Sequence, residues 1–109
     1  MKDFIAALGS ASNHGKGLKC MKSENYINAV HYFKKALEKA EKANDETMIP
    51  FELESIAHAY FMLEDFDQAE DCAYKSLKLY EQIEHYGDPV KDGIQRIRDL
   101  LDSISTGKT

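Results

Sequence analysis

The segment ENYINAVHYFKKALEKA, residues 24–40, decides the fold. Its apolar residues recur at steps of three and four, which is the period of an amphipathic helix. Shifting the chain by 40 residues places residues 17–40 over residues 57–80, so that Tyr26 meets Phe66 and Ala29 meets Ala69. A period of this length indicates a repeated helical unit rather than one generic helix.

The aligned residues describe how each unit folds. Asn25 and Asp65 are good N-cap residues just before the second helix of each unit. Gly17 and Ala57 are small, which lets two helices pack closely. Each unit is therefore predicted to be an antiparallel helical hairpin, with the aligned aromatic residue filling its closed end.

A fifth helix is predicted after the two hairpins. Asp88 is a suitable N-cap, Pro89 suits the first helical position, and an apolar stripe continues to Ile104. This stripe would cover the open side of the second hairpin, as a terminal helix does in a solenoid. The expected helices span residues 11–22, 26–43, 48–63, 66–85 and 89–104, and residues 3–9 extend the first helix or form a short one.

The pattern of a small residue, an aromatic at the turn and "A…F/A…(A/S)L" resembles the tetratricopeptide repeat. The segment LEDFDQAEDCAYKSLKL, residues 63–79, is the closer match of the two units. The resemblance implies an all-α fold: antiparallel helical hairpins of a short solenoid of about two repeats, plus a C-terminal capping helix. One domain, residues 1–109, would contain repeat 1 (10–45), repeat 2 (46–87), the capping helix (88–105) and a frayed tail (106–109).

Composition places the chain among helical, globular proteins. Hydrophobic residues make up 43% of its 109 residues and charged residues 30%. No stretch approaches the ~20 apolar residues that span a membrane, and no signal segment is evident, so a cytoplasmic protein without membrane contact is expected. Cys20 and Cys72 are expected to be buried free thiols rather than a disulfide.

Charge is divided unevenly along the chain. Residues 1–43 carry eight lysines and four acidic residues, whereas residues 44–109 carry six basic and fifteen acidic ones. The acidic balance argues against nucleic acid as a partner. The lysines of the first two helices form either a solvated face or a docking patch for an acidic partner.

No motif for chemistry is convincing. The segments GSASNHGKG (9–17) and STGKT (105–109) fail the spacing and context of a phosphate-binding loop. Glu54 and His58 share a helical face that His14 could oppose, but a third and fourth metal ligand are lacking. No nucleophile with a local base appears. We therefore expect no enzyme, no catalytic residues, no metal and no cofactor.

The resemblance implies that the first helices of successive units line a concave groove for a peptide or helix of a partner protein. The expected groove residues are His14, Leu18, Met21, Lys22, Phe51, Glu54, His58, Phe61 and Met62. Such an aromatic and methionine-rich surface suits a hydrophobic helix or peptide. The alternative is a structural or assembly subunit, a homo-oligomer whose groove is occupied by its own copy, because two repeats leave a solenoid face uncovered.

Overall fold

The computed structural model describes residues 12–108, and this part of the chain is all-α, as predicted. It contains five α-helices and one short 3₁₀-helix, and no strand occurs within these residues. The α-helices are α1 (Asn13–Lys22), α2 (Tyr26–Lys42), α3 (Met48–Met62), α4 (Phe66–Gln82) and α5 (Asp88–Lys108), with the 3₁₀-helix Glu84–Tyr86 before α5.

Consecutive helices pack against one another as antiparallel hairpins. The start of α1 lies beside the end of α2, and the Ser76 hydroxyl of α4 donates to the Pro50 carbonyl at the start of α3. Helix α3 also packs on α5, and His14 of α1 contacts Glu52 of α3. Helices α1, α3 and α5 therefore form one layer, called here the inner layer, and α2 and α4 form the outer layer.

Helices α1, α2 and α3 end in the same hydrogen-bonded turn. A residue with left-handed backbone follows each helix: Glu24 (φ 60°), Asn44 (φ 52°) and Glu64 (φ 61°). Its N–H donates to the carbonyl three residues back, and the next N–H donates to the carbonyl five residues back, which is the Schellman pattern. The same turn thus recurs every 20 residues, which is half of the 40-residue sequence period.

The residue after each turn caps the next helix with its side chain. Asn25 accepts from the Asn28 N–H and Asp65 from the Gln68 N–H, as predicted. Asp45 accepts from the Met48 N–H, although the regular helix α3 begins only at Met48. These caps satisfy backbone donors that each helix start leaves unpaired.

The first core lies between α1, α2 and α3. Phe33 is buried at its centre, beside Ala29, Ile56 and Ala59. A Cβ atom at Gly17 would lie 2.5 Å from the Phe33 ring, so α1 approaches α2 closely only because residue 17 has no side chain. This close contact confirms the predicted packing role of Gly17.

The second core joins α3, α4 and α5 and has two comparable glycine contacts. Gly93 packs on the Tyr80 ring and Gly107 on the Phe66 ring, where an added Cβ would lie 2.7 Å from each. The apolar stripe of α5, including Ile97, is buried against α4, as predicted for a covering helix. Phe66 is only half-buried, as Tyr26 is in the first hairpin, so these aromatic residues do not fill fully enclosed sites.

Two helix ends differ from the prediction. Helix α4 ends at Gln82, and a separate 3₁₀ turn takes the place of its predicted last residues. Helix α5 runs to Lys108 rather than ending at residue 104, so residues 106–108 are helical rather than frayed. Gly107 lies against Phe66, and the Lys108 ammonium pairs with Asp67 at 3.1 Å and with Glu70 at 3.3 Å.

Some expectations fall outside the described residues. They are the structure of residues 3–9, the first residues of repeat 1 and of the predicted first helix, part of the segment 9–17, and Thr109.

Candidate binding surface

The inner layer presents one stripe of side chains from α3 on the side away from the two cores. Phe51, Ser55, His58 and Met62 are spaced at i, i+4, i+7 and i+11, which places them on one face of the helix. Phe51, Ser55 and His58 are half-buried. The Met62 side chain is 47% exposed. The stripe therefore offers apolar surface that the described residues do not cover.

Helix α1 adds to this surface from one side. Leu18 is 47% exposed, and Lys22, one turn further along, is also exposed. Leu18 precedes His58 by one 40-residue repeat length, so the two residues occupy equivalent positions in their hairpins. We call the surface formed by these α1 residues, the α3 stripe and the neighbouring Asp92 and Arg96 of α5 the inner face.

Two of the predicted groove residues of α1 turn toward the interior. Met21 is half-buried and packs on the first core. The His14 ring lies between Phe33 and Phe51, with centroid distances of 5.3 Å and 5.0 Å. His14 Nδ1 is 2.9 Å from Glu52 Oε1, so this histidine joins α1 to α3.

Glu54 lies in the interior rather than on the inner face. Its carboxylate accepts hydrogen bonds from the Tyr80 hydroxyl at 2.8 Å, from Arg96 Nε at 2.6 Å and from Arg96 Nη2 at 3.1 Å. These donors come from α4 and α5, so Glu54 fastens the second hairpin to the last helix. Burial, and then the bond to Glu54, raises the pKa of Tyr80.

Phe61 is also turned toward the second core. It is half-buried, and its ring centroid lies 5.8 Å from that of Phe66. Replacing Phe61 would therefore disturb packing as well as any binding surface. Substitutions of Leu18 and Met62 test the inner face with less effect on packing, because more of each side chain is exposed.

His58 is held in its uncharged form by its surroundings. Burial lowers the pKa of its imidazole, an effect that nearby Glu54 opposes and that Arg96 reinforces. At neutral pH the middle of the inner face is therefore polar but uncharged. A charged partner group would gain little there compared with an apolar or hydrogen-bonding one.

Helix α5 contributes two residues, Asp92 and Arg96, that are not among the expected groove residues. Asp92 and Arg96 line a cleft of about 480 Å³ whose walls include Met48, Phe51 and Val90. The Arg96 guanidinium reaches this cleft while its Nε and one Nη bind Glu54. The apolar stripe of α5 indicates where Arg96 lies, because Arg96 is beside this stripe on the side of the helix nearest α3.

The described residues contain neither a cluster of metal ligands nor a membrane-spanning helix. Within residues 12–108, no group of three or more histidine, cysteine or acidic residues is arranged to hold a metal ion. None of the helices in this range is both long enough and apolar enough to cross a membrane. Cys20 and Cys72 are free and half-buried, as expected for unpaired thiols.

The chain matches no protein-family model, no curated protein and no solved structure. The helices and their packing define an all-α protein of packed helical hairpins.

Proposed function

We propose that this chain is a non-enzymatic protein-interaction module that binds a helix or an extended peptide of a partner protein along the inner face. The observation that carries the proposal is the exposure of Leu18 and Met62 on the layer where α3 already presents a continuous stripe. Apolar side chains exposed together on one face are typical of binding surfaces.

The chemistry of the inner face favours a mainly apolar partner segment. Leucine and methionine adapt to different side chains, and Met62 in particular is unbranched and flexible. Neutral His58 and Ser55 offer hydrogen bonds in the middle of the stripe. We expect a partner helix with apolar residues at steps of three and four, or a peptide that presents alternate apolar side chains.

The resemblance to tetratricopeptide repeats supports this proposal without carrying it. The turn that recurs every 20 residues, the small residues between paired helices and the covering helix α5 all suit a short solenoid. In such a solenoid the inner layer would be the concave side.

A photo-reactive amino acid at Leu18 or at Met62 tests the proposal in cells of the source organism. Matched positions on the outer layer are Ile27, which is 71% exposed, and Tyr74, which is 56% exposed. We expect one discrete protein adduct from the inner positions and none from the outer ones. Equal adducts from both layers would contradict the proposal.

The captured protein is then purified and its affinity is measured by calorimetry. Burying a fully exposed leucine or methionine side chain contributes about 1.5–3 kcal/mol, and Met62 is 47% exposed, so Met62→Lys should weaken binding by about threefold to tenfold. The outer variant Ile27→Lys should change the dissociation constant by less than about twofold. A larger loss from Ile27→Lys would place the binding surface on the outer layer instead.

The alternative function is that of an assembly subunit whose inner face is covered by a second copy of the chain. The same exposed Leu18 and Met62 would then form an interface between copies, and isologous dimers are the commonest such arrangement. The first function requires a monomer with a free inner face, and the second requires an oligomer. The mass of the protein in solution therefore distinguishes them.

A further inference from the structure

A second cleft lies where α1 begins and shares Met48 with the cleft beside Asp92 and Arg96. Helix α1 has 10 residues and α2 has 17, so the last turns of α2 extend beyond the start of α1. The resulting space has a volume of about 330 Å³. It is lined by Ser12, Asn13, His14, Ala36, Lys39, Ala40, Ala43, Asp45, Met48 and Glu52.

The wall of this cleft is mostly apolar and has a buried carboxylate. Ala36 and Ala40 of α2, Ala43 directly after it and Met48 at the start of α3 line the cleft. Glu52 is only 1% exposed. Its Oε1 lies 2.9 Å from His14 Nδ1.

The two buried glutamates of α3 are compensated differently. Glu54 has a permanent cation, because α5 supplies the Arg96 guanidinium. Glu52 has only the imidazole of His14 as its partner. Lys39 lines the cleft, yet its ammonium makes no ion pair with Glu52 in the described chain. A buried carboxylate is stabilised strongly by a cation, and within residues 12–108 no lysine or arginine lies within ion-pair distance of Glu52.

The apolar walls and the acidic residues of the cleft suit a basic side chain. The alkyl stem of an arginine would lie along the alanines and Met48, while its guanidinium met Glu52 at the base. Asp45 lies on the same wall, and its Oδ1 already accepts from the Thr47 and Met48 backbone N–H groups. These bonds, that from Met48 first, lower the pKa of Asp45, so a second negative charge faces the cleft.

We propose that this cleft binds an arginine side chain of a partner protein, with the guanidinium on Glu52 and the alkyl stem on the alanine face of α2. The geometry would repeat, with a cation from outside the chain, the contact that Arg96 makes with Glu54. This site adjoins the inner face at Met48, which lines both clefts, but it does not depend on the function proposed above.

The probe that tests this site is n-butylguanidinium, which carries the arginine head and stem alone. It is titrated into the full chain with labelled alanine and methionine methyl groups, and binding is followed by NMR. We expect saturable shifts at Ala36, Ala40 and Met48, with those of Met62 unchanged. Neutral n-butanol should bind at least about tenfold more weakly, since a charge-assisted hydrogen bond contributes about 1.5–3 kcal/mol.

Two matched variants assign the charge. Glu52→Gln keeps the shape of the side chain, and it should reduce n-butylguanidinium binding by about tenfold or more. Glu64→Gln removes an exposed carboxylate in the turn after α3 and should leave binding unchanged. The circular dichroism melting curve of each variant shows whether it is folded. If Glu52→Gln does not fold, the comparison with n-butanol on the unmodified chain decides.

Several outcomes would overturn the proposal. Absence of saturable shifts, equal affinity for n-butanol, or undiminished binding to Glu52→Gln would each exclude an arginine site. If n-butylguanidinium does not bind and Phe4→Ser shifts the Ala36 and Ala40 signals, the cleft belongs to residues 1–11 of the same chain. If those signals depend on protein concentration instead, a second copy occupies the cleft.

Discussion

The substitution Arg96→Met should destabilise the protein through the carboxylate that it leaves behind. Methionine retains much of the alkyl stem of arginine but removes the two bonds to Glu54, at 2.6 Å and 3.1 Å. The Tyr80 hydroxyl then remains as the one donor to this carboxylate within residues 12–108. Removing one partner of a fully buried ion pair costs about 3–5 kcal/mol.

The expected cost is smaller than that limit, because the Arg96 side chain is 47% exposed. Water can reach part of the space that it leaves, so we expect Arg96→Met to reduce the free energy of unfolding by about 2–3 kcal/mol. With a typical slope of about 1–3 kcal/mol per molar urea, the unfolding midpoint falls by about 0.7–3 M.

Equilibrium unfolding in urea, followed by circular dichroism, measures the effect, and a second substitution tests its cause. Glu54→Gln in the Arg96→Met background removes the unpaired charge and still accepts from Tyr80. The double variant should therefore be more stable than Arg96→Met alone, within about 1 kcal/mol of the unmodified protein. Additive losses, or a cost below about 0.5 kcal/mol for Arg96→Met, would refute the reasoning.

Three further predictions concern stability. Glu64 has a left-handed backbone (φ 61°), so Glu64→Gly should stabilise the protein by about 1 kcal/mol. The control Glu38→Gly, within α2, should destabilise it by a similar amount. A loss of stability in both variants, measured by urea unfolding, would contradict this prediction. Burial lowers the pKa of His58 in the folded state, so the folded protein binds fewer protons and stability should fall as pH drops below about 6.5. Comparing His58→Gln with the unmodified protein at pH 7.5 and pH 5.5 checks this, and an unchanged pH dependence would exclude His58 as its source. Gly17→Ala would place a Cβ 2.5 Å from the Phe33 ring. It should lower the free energy of unfolding by about 1–2 kcal/mol, although alanine has the better helix propensity. An equal or higher thermal midpoint would show that the ring can move and would contradict this prediction.

The fold could be predicted because its signals are local. Asn25 and Asp65 cap the helices that they precede, and the apolar period extends through each helix. The small residue Gly17 correctly marked the close approach of two helices. The end of α5 could not be predicted this way, because Lys108 is held by Asp67 and Glu70, about 40 residues earlier in the chain.

The binding surface could be predicted only in part, because α3 packs on both sides. Its polar residues Glu52 and Glu54 lie two positions apart and turn toward different hairpins, where each is buried. Their partners, His14 and Arg96, are 38 and 42 residues away. Such distant pairs leave no periodic trace in the sequence, so the helical pattern predicts Glu54 for the groove. The apolar stripe of α5 indicates the side on which Arg96 lies, but not its pairing with Glu54.

Light scattering of the full chain, at low and at high salt, tests the central claim that the inner face is available to a partner. We predict a mass of 12.4 kDa, that of one chain, at both salt concentrations. A dimer that Met62→Lys dissociates and Ile27→Lys leaves intact would contradict the claim, because the inner face would then be covered by a second copy. If the dimer dissociates in high salt, the contact between the two copies is an electrostatic one between the oppositely charged halves of the chain.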